Sequence, residues 1–398
     1  MADAIIFISR RRYLRYHNQL SDIYPKNYIF ANISQTEPNM NTKPLRIVVA
    51  FDSFKGCISA EEACQAAAEG IRDVCPEADV AILPLSDGGE GLVDCVRRIT
   101  NTIDITLDVH GPLMEMVRSS YAMSVDGKTA YMEMASASGL MLVPQSRRNP
   151  MVTTTYGVGE MIADAVGRGC EQIVMGIGGS ATCDAGEGML KALRDKNCMD
   201  FPNKIVVACD VNNPLYGENG AAYVFAPQKG ATAEQVVLLD KRLRDFARRT
   251  EVEGIALPEM ANHPGAGAAG GLGYALLCYL KAELVSGIDI ILDIAQFDKH
   301  IADADIVVTG EGKSDAQTMM GKVPSGVLRH CRKNGVKTWL LSGAVDDANL
   351  VLTNNFDLVK SINEGDHRPL SLLLEPDVAK ENIRKTMRSL MKNNMYQP

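Results

Sequence analysis

The chain has 398 residues, 46% of them apolar, and a formal net charge of -8 at pH 7. This length exceeds one typical domain of roughly 100 to 200 residues, so two domains are expected. The acidic balance argues against a nucleic-acid partner, because phosphate backbones attract clustered Lys and Arg. No apolar run approaches the roughly 18 residues that a spanning helix needs, so no membrane partner is expected.

The 10 cysteines lie singly, with no C-x-x-C pair and no metal-ligand spacing. They indicate reduced, mostly buried thiols, as in a cytoplasmic protein. The start of the chain differs from the rest, with a basic cluster at 10–15 and weak apolar periodicity. It has neither the apolar core nor the small-residue cleavage site of a signal peptide. We therefore interpret residues 1–42 as an extension outside the folded core.

We expect removal of residues 1–39 to leave folding and turnover intact, because this segment lacks the apolar periodicity that would join it to a core. The shortened chain starts at Met40, just before the first strong strand pattern. Melting curves and activity of the full-length and shortened proteins measure this directly. An insoluble or inactive shortened protein would contradict the expectation.

After the extension, strand and helix patterns alternate, which is typical of an α/β protein with parallel sheet. The run 45–51 predicts a strand covered on both faces. Ser59 followed by Glu62 predicts a capped helix, and a second strand is predicted over 79–83. Between 103 and 134 the pattern has period two with two hairpin signals, which predicts antiparallel strands.

Further strands are predicted in the middle and at the end of the chain. They cover residues 173–177, 205–208, 221–225, 288–293, 305–309, 338–342 and 357–362. The simplest architecture has a Rossmann- or flavodoxin-like parallel-sheet domain built from both chain ends, residues 45–90 and 290–398. A mixed α/β domain, residues 91–289, is inserted between them. A ligand cleft between the two domains follows.

Four glycine-rich turns contain the candidate functional residues, and each turn is predicted at the carboxyl end of a strand. The first turn, residues 52–56, contains Lys55, which can reach a substrate phosphate or carboxylate. A surface turn explains the same pattern. The second turn holds Asp87 and Glu90 among three glycines and suits a hydrated Mg²⁺. An ordinary acidic turn is the alternative there.

The third turn, residues 176–182, follows a strand and precedes a helix. Its backbone N–H groups and the helix dipole favour a bound phosphate, with a purely structural glycine turn as the alternative. The turn also matches G-x-G-x-x-A, the dinucleotide fingerprint. That match is weak, because no acidic residue ends the next strand at the expected distance and Asp210 comes too late.

The fourth turn, residues 309–315, contains G-K-S, but Val307 stands where a Walker A motif needs glycine. Its Glu311 and Asp315 suit metal binding or general-base work. A further glycine-rich run at 265–273 precedes an apolar helix. It predicts a ligand loop, an inter-domain hinge or a site of close helix packing.

Together these segments resemble the bacterial glycerate kinase family. The matching strings are DSFK at 52–55, DGGEG at 87–91, EMASASGL at 133–140, NPMVTTTYG at 149–157, GIGGSAT at 176–182, ACDVNNPL at 208–215, PQKGA at 227–231, the run 265–273, and TGEG at 309–312 with Gln317-Thr318. These strings occur in the family's order, and the resemblance covers the chain from about Leu45 to the C-terminal helix. The resemblance implies a two-domain α/β fold, use of ATP and Mg²⁺, and phosphorylation of glycerate with 2-phosphoglycerate as the usual product.

The turns and the resemblance together give the candidate site residues. The catalytic candidates are Asp315, Asp210 and Lys55. Substrate binding is expected at Asp52, Ser53, Lys55 and Glu311. Nucleotide or phosphate binding is expected at Gly178, Gly179, Ser180, Thr182, Gly270 and Gly271. Metal binding is expected at Asp87, Glu90 and Asp210.

Three alternatives stay open beside this hypothesis. The product could be 3-phosphoglycerate, and the fingerprint match allows an NAD(P)-dependent oxidoreductase of a small hydroxy acid. A two-domain cleft also suits a binder without catalysis. The expected partners are glycerate and ATP, with a homodimer as the candidate assembly.

Overall fold

The computed structural model describes residues 44–54, 56–86, 91–199, 204–348 and 350–395. They fall within one compact unit that begins at Pro44. The predicted extension at residues 1–42 lies outside the described residues. All ten cysteines are described, and none of them forms a disulfide. No helix in the described ranges is both long and apolar enough to cross a membrane.

The strands form two separate sheets. In chain order they are β1 (Arg46–Phe51), β2 (Asp79–Ile82), β3 (Thr102–His110), β4 (Met116–Ser124), β5 (Thr129–Glu133), β6 (Gln172–Gly176), β7 (Lys204–Ala208), β8 (Glu283–Val285), β9 (Ile306–Ser314), β10 (Lys337–Val345) and β11 (Leu358–Ser361).

The α-helices cover and connect these strands. They are α1 (Ala60–Arg72), α2 (Leu92–Ile99), α3 (Ala135–Ser138), α4 (Tyr156–Gly167), α5 (Glu187–Asp195), α6 (Ala221–Phe225), α7 (Ala233–Val252), α8 (Ala268–Leu280), α9 (Gly287–Ile294), α10 (Phe297–Ile301), α11 (Val323–Asn334), α12 (Leu370–Leu373) and α13 (Pro376–Met395). The predicted capping box of α1 is present, with Ser59 and Glu62 exchanging hydrogen bonds.

The first sheet is parallel throughout and uses both ends of the chain. Its spatial order is β2-β1-β9-β10-β11. Counted within this sheet alone, that is the 2-1-3-4-5 order of flavodoxin-like folds. The order reverses between β1 and β9. A crevice forms at the carboxyl ends of strands flanking such a reversal, and ligands bind there in these folds.

The second sheet comes from the middle of the chain, in the order β3-β4-β5-β6-β7-β8. The strands β3, β4 and β5 are antiparallel neighbours, as the hairpin signals predicted, and β5 to β8 are parallel. The predicted fold class is therefore confirmed: a parallel sheet from both chain ends and a mixed α/β segment between them. The domain boundaries at residues 90 and 290 stay a prediction.

The two sheets share part of their hydrophobic core through β1. Val49 packs on one face of the first sheet, in a cluster with α1 and α13. Val48 and Ala50 lie on the opposite face, in a cluster that also contains Val174 of β6 and Val206 of β7. A strand alternates its side chains between two faces. The continuous apolar run of β1 therefore follows from cover on both faces.

Two of the predicted strands are wrong. Residues 221–225 form helix α6 and residues 288–293 lie within helix α9. In α9 the buried side chains include Ile288, Ile291 and Leu292. That spacing of three and four residues marks one face of a helix, whereas a short apolar run alone does not separate helix from strand.

Candidate active site

The first cavity lies where the strand order of the parallel sheet reverses. We call it the switch-point cavity, and its volume is about 430 Å³. Its polar lining includes Asp52, Ser53, Glu311, Lys313 and Lys322. The apolar part of its lining includes Phe54, Ile362, Leu370, Leu373 and Leu374. The predicted substrate-binding residues Asp52, Ser53 and Glu311 are thus brought together.

Glu311 is the most strongly held acid of this cavity. Its side chain is 8% exposed, and its Oε2 atom lies 3.3 Å from Nζ of Lys322. Its Oε1 atom accepts hydrogen bonds from Ser314 Oγ at 3.0 Å and Thr318 Oγ1 at 2.6 Å. Both carboxylate oxygens are fixed, so Glu311 holds Lys322 at the cavity rather than rotating freely.

Asp315 has a different environment. The strand β9 continues through Ser314, so most of the predicted fourth turn is strand that pairs with β10. Asp315 caps the 3₁₀ turn that follows, and its Oδ1 atom accepts a hydrogen bond from the Gln317 N–H at 2.9 Å. Its Oδ2 atom lies 3.7 Å from Nζ of Lys313. Asp315 is not among the described residues that line the cavity, and its catalytic role stays a prediction.

The second cavity lies at the carboxyl ends of β6 and β7. We call it the glycine-loop cavity, and its volume is about 400 Å³. Four of the predicted site residues line it, namely Gly178, Gly179, Ser180 and Asp210. Gly179 has a φ of 69°, a left-handed conformation that a side chain would disfavour. The phosphate-binding role predicted for this loop therefore has a cavity in which to act, and it remains a prediction.

Gly270 and Gly271 lie beside this cavity, at the start of α8. Their φ values are 71° and 92°, and both are buried. The Gly270 carbonyl accepts a hydrogen bond from the Ala185 N–H at 3.0 Å. The described lining of the cavity includes Ala268 and Ala269 but neither glycine. These contacts favour the packing alternative for the run 265–273, and nucleotide binding by the two glycines stays a prediction.

Asp210 connects the glycine-loop cavity to the end of the other sheet. Its Oδ1 atom accepts hydrogen bonds from Ser286 Oγ and from the Gly287 N–H, both at 3.0 Å. This places the carboxylate at the start of α9. A Cβ atom built on Gly321, next to Lys322, would lie 3.7 Å from the same Asp210 oxygen. The segment after β9 of the parallel sheet therefore reaches Asp210, which follows β7 of the mixed sheet.

Two residues of the glycine-loop region escaped the sequence predictions. Lys229 ends the 3₁₀ turn Pro227–Lys229, far along the chain from the loop that it contacts. Asp184 follows the predicted loop directly, but nothing in its local pattern indicated its four hydrogen-bond donors. Only the string PQKGA at 227–231, noted as part of the family resemblance, was a signal for Lys229.

Asp184 anchors the end of the glycine loop to two helices. Its carboxylate accepts hydrogen bonds from the N–H and Oγ1 of Thr155, at 2.8 and 2.9 Å. The N–H groups of Gly186 and Gly188 also donate to it, at 3.1 and 3.2 Å. Desolvation by burial raises the pKa of Asp184 above its usual range, although these hydrogen bonds act in the opposite direction.

We expect Asp184→Ala to lower the free energy of unfolding by about 2 to 3 kcal/mol, because buried donors lose their acceptor. Urea unfolding monitored by circular dichroism measures this loss. Asp195→Ala is the matched control, since Asp195 bonds Tyr156 and Lys191 at the surface, where ion pairs contribute little to stability, so its effect should be much smaller. Equal effects of the two substitutions would refute the anchoring role.

Three predicted site residues, Lys55, Asp87 and Glu90, lie outside the described residues. Their catalytic, substrate-binding and metal-binding roles stay predictions. Among the described residues, no group of three or more His, Cys, Asp or Glu side chains is arranged to hold a metal ion. Mg²⁺ in phosphoryl-transfer sites usually takes one or two carboxylates plus substrate phosphates. The carboxylate of Asp210, at the edge of the cavity, fits that more limited role.

The two sheets define an α/β protein that places acids, lysines and a glycine loop around two cavities. The sequence profile of the glycerate kinase family matches residues 47–200 and 195–394. The chain therefore belongs to the glycerate kinase family.

Individual relatives agree with this assignment. A glycerate kinase of Bacillus subtilis is 43% identical over 350 residues, covering 81% of this chain and 91% of the relative. A glycerate 2-kinase of Escherichia coli is 42% identical over 347 residues, covering 80% and 90%. The crystal structure of a protein assigned as glycerate kinase 2 in Salmonella typhimurium LT2 is similar with a TM-score of 0.73 and 36% identity, covering 89% of this chain and 99% of that one.

Proposed function

We propose that this protein is an ATP-dependent glycerate kinase that transfers the γ-phosphoryl group of ATP to a hydroxyl of D-glycerate. The family assignment and the glycerate kinases among its relatives support the reaction. The approach of Gly321 to Asp210 supports the structural side of the proposal, because Gly321 precedes Lys322 of the switch-point cavity and Asp210 lines the glycine-loop cavity. It brings the ends of both cavities together, as transfer between two bound substrates requires.

The proposed chemistry follows from the side chains at this junction. A hydroxyl oxygen of glycerate forms a bond to the γ-phosphorus, the bond from that phosphorus to the bridging oxygen of ADP breaks, and the hydroxyl proton passes to a carboxylate. Asp210 and Asp315 are the proposed acceptors of that proton. Lys322, held by Glu311, and Lys313 offset the charge of the transferring group.

The substrates are proposed to occupy separate cavities. Glycerate is placed with Asp52, Ser53 and Glu311 in the switch-point cavity, and the nucleotide phosphates are placed at the loop 178–182. Mg²⁺ bound by Asp210, with Asp87 and Glu90 as further candidates, would neutralise charge on the phosphate oxygens.

We propose 2-phosphoglycerate as the product, since one relative is named as a glycerate 2-kinase. An assay with ATP, Mg²⁺ and D-glycerate, with the product resolved by phosphorus NMR, tests this. Formation of 3-phosphoglycerate would support the kinase reaction but show that a different hydroxyl of glycerate is phosphorylated. Absence of any phosphoglycerate, or reduction of NAD(P)⁺ with a hydroxy acid in a parallel assay, would refute the proposed function.

A further inference from the structure

Lys229 is a buried cation at the glycine-loop cavity. The residue is 3% exposed, yet it belongs to the lining of that cavity. Its Nζ atom donates hydrogen bonds to Ser180 Oγ at 2.7 Å and to the Thr182 carbonyl at 2.8 Å. Both acceptors belong to the glycine loop. A lysine ammonium has three donors, so one further N–H is available for a ligand.

The charge of Lys229 has no close partner within the part of the chain that the structure describes. None of the ion pairs found there includes Lys229, and both of its acceptors are neutral oxygens. Asp184 acts on Lys229 only from a greater distance and does not bond to it directly. A buried ammonium without a directly bonded counter-charge is costly, and buried charges are ordinarily paired or bound to ligands. A ligand anion in the cavity would supply that direct counter-charge at the place where the third N–H is available.

We propose that Lys229 is an anion-binding residue of the glycine-loop cavity, whose partner is a phosphate of the nucleotide or the carboxylate of glycerate. This inference rests on the proposed function for the identity of the two ligands. Lys229 holds the loop through Ser180 and Thr182 and at the same time binds the anion. The loop glycines then approach a ligand that Lys229 has already fixed.

The surroundings of Lys229 predict that its binding of an anion depends on pH. Desolvation by burial lowers the pKa of Lys229 to about 8, and its electrostatic interactions with Cys183 and Asp184 only partly oppose this. Asp210 lines the same cavity, and Arg148 packs against the neighbouring Gly230 through its backbone and Cβ. Below pH 8 the ammonium form predominates and binds the anion. As pH rises through about 8, the proton is lost and binding weakens.

Two substitutions separate charge from shape. Lys229→Met removes the charge, and Lys229→Arg keeps a cation that stays protonated throughout this pH range. We expect Lys229→Met to lower kcat/KM at least about a hundredfold. In the wild type, kcat/KM should fall above pH 8, whereas in Lys229→Arg this decline should be absent even if the absolute rate is lower. Lys241→Met, at an exposed position of α7, is the control for simple loss of a lysine.

Binding measurements identify the anion without depending on turnover. Calorimetry with ADP and with D-glycerate is done on the wild type and on folded Lys229→Met. Loss of ADP affinity alone assigns the anion as a phosphate, and loss of glycerate affinity alone assigns it as the carboxylate. Unchanged binding of both ligands would overturn the proposal, even if glycerate kinase activity is confirmed. If Lys229→Met fails to fold, the pH profiles decide the question. A fall of kcat/KM above pH 8 that is present in both the wild type and Lys229→Arg would then overturn the proposal.

Failure of the proposed function would look different. In that case the wild type makes no phosphoglycerate, while the calorimetric comparison with ADP still reports whether Lys229 binds a phosphate.

Discussion

Asp210→Asn is expected to lower kcat at least about a hundredfold while the fold stays unchanged. Asparagine keeps a carbonyl oxygen that can accept the hydrogen bonds from Ser286 and Gly287, so the start of α9 should stay in place. The substitution removes the negative charge that the proposed mechanism needs for the incoming hydroxyl or for Mg²⁺. Steady-state kinetics at saturating ATP and glycerate, with circular dichroism and melting curves, measure both parts of this expectation.

The Mg²⁺ dependence of the variant separates the two roles of Asp210. If Asp210 acts mainly through the metal, raising the Mg²⁺ concentration should recover part of the activity, and a general base would not be recovered in this way. Asp289→Asn is the matched control, since Asp289 lies on α9, whose first residue Asp210 contacts, and pairs with Arg329. Near-normal turnover of a stably folded Asp210→Asn would remove Asp210 from the mechanism and favour Glu311 or Asp87.

Gly270→Ala is expected to lower the free energy of unfolding by about 2 to 5 kcal/mol. A Cβ atom on Gly270 would lie 2.1 Å from the Thr182 carbonyl oxygen and 2.6 Å from Cys183 Cα, and backbone atoms cannot rotate away. Overpacking of this kind costs about 1 to 3 kcal/mol, or occasionally more. The left-handed φ of 71° adds about 1 to 2 kcal/mol. Relief of the overlap would displace the glycine loop, so kcat/KM should fall as well.

Gly335→Ala separates the two contributions. Gly335 has a nearly equal φ of 70°, but no atom lies within 4 Å of its built Cβ. This control should therefore show only the conformational cost, with unchanged kinetics. Denaturant unfolding of both variants provides the comparison. If Gly270→Ala is no less stable than Gly335→Ala, the tight packing of α8 against the loop is refuted.

Most of the fold could be predicted because it depends on local patterns. The run in β1 and the hairpin signals near β3 to β5 specify strands by period and turn chemistry. The helix α9 could not be separated from a strand, because its isoleucines form a short apolar run within a buried environment. Periodicity alone does not distinguish so short an apolar run in a helix from a buried strand.

The candidate site could be predicted only where its chemistry lies within one loop. Asp52 and Ser53 follow β1, and Glu311 lies within the neighbouring strand β9, so the predicted strands brought these residues close together. Lys229 acts on a loop that is 49 positions away in the chain. Its importance depends on burial and on the lack of a directly bonded counter-charge, and neither property is visible in a string of residues.

The arrangement of the parallel sheet has a consequence for protein synthesis. The strand β1 pairs with β9, and residues bonded across this pair are 259 positions apart. A ribosome therefore releases β1 and β2 long before the strand that completes their sheet exists. The edge of β1 stays open meanwhile, and open edges are sites of wrong pairing. The mixed sheet, whose strands are all made before β9, can form first, and closure of the parallel sheet is then expected to be the slow late step of folding.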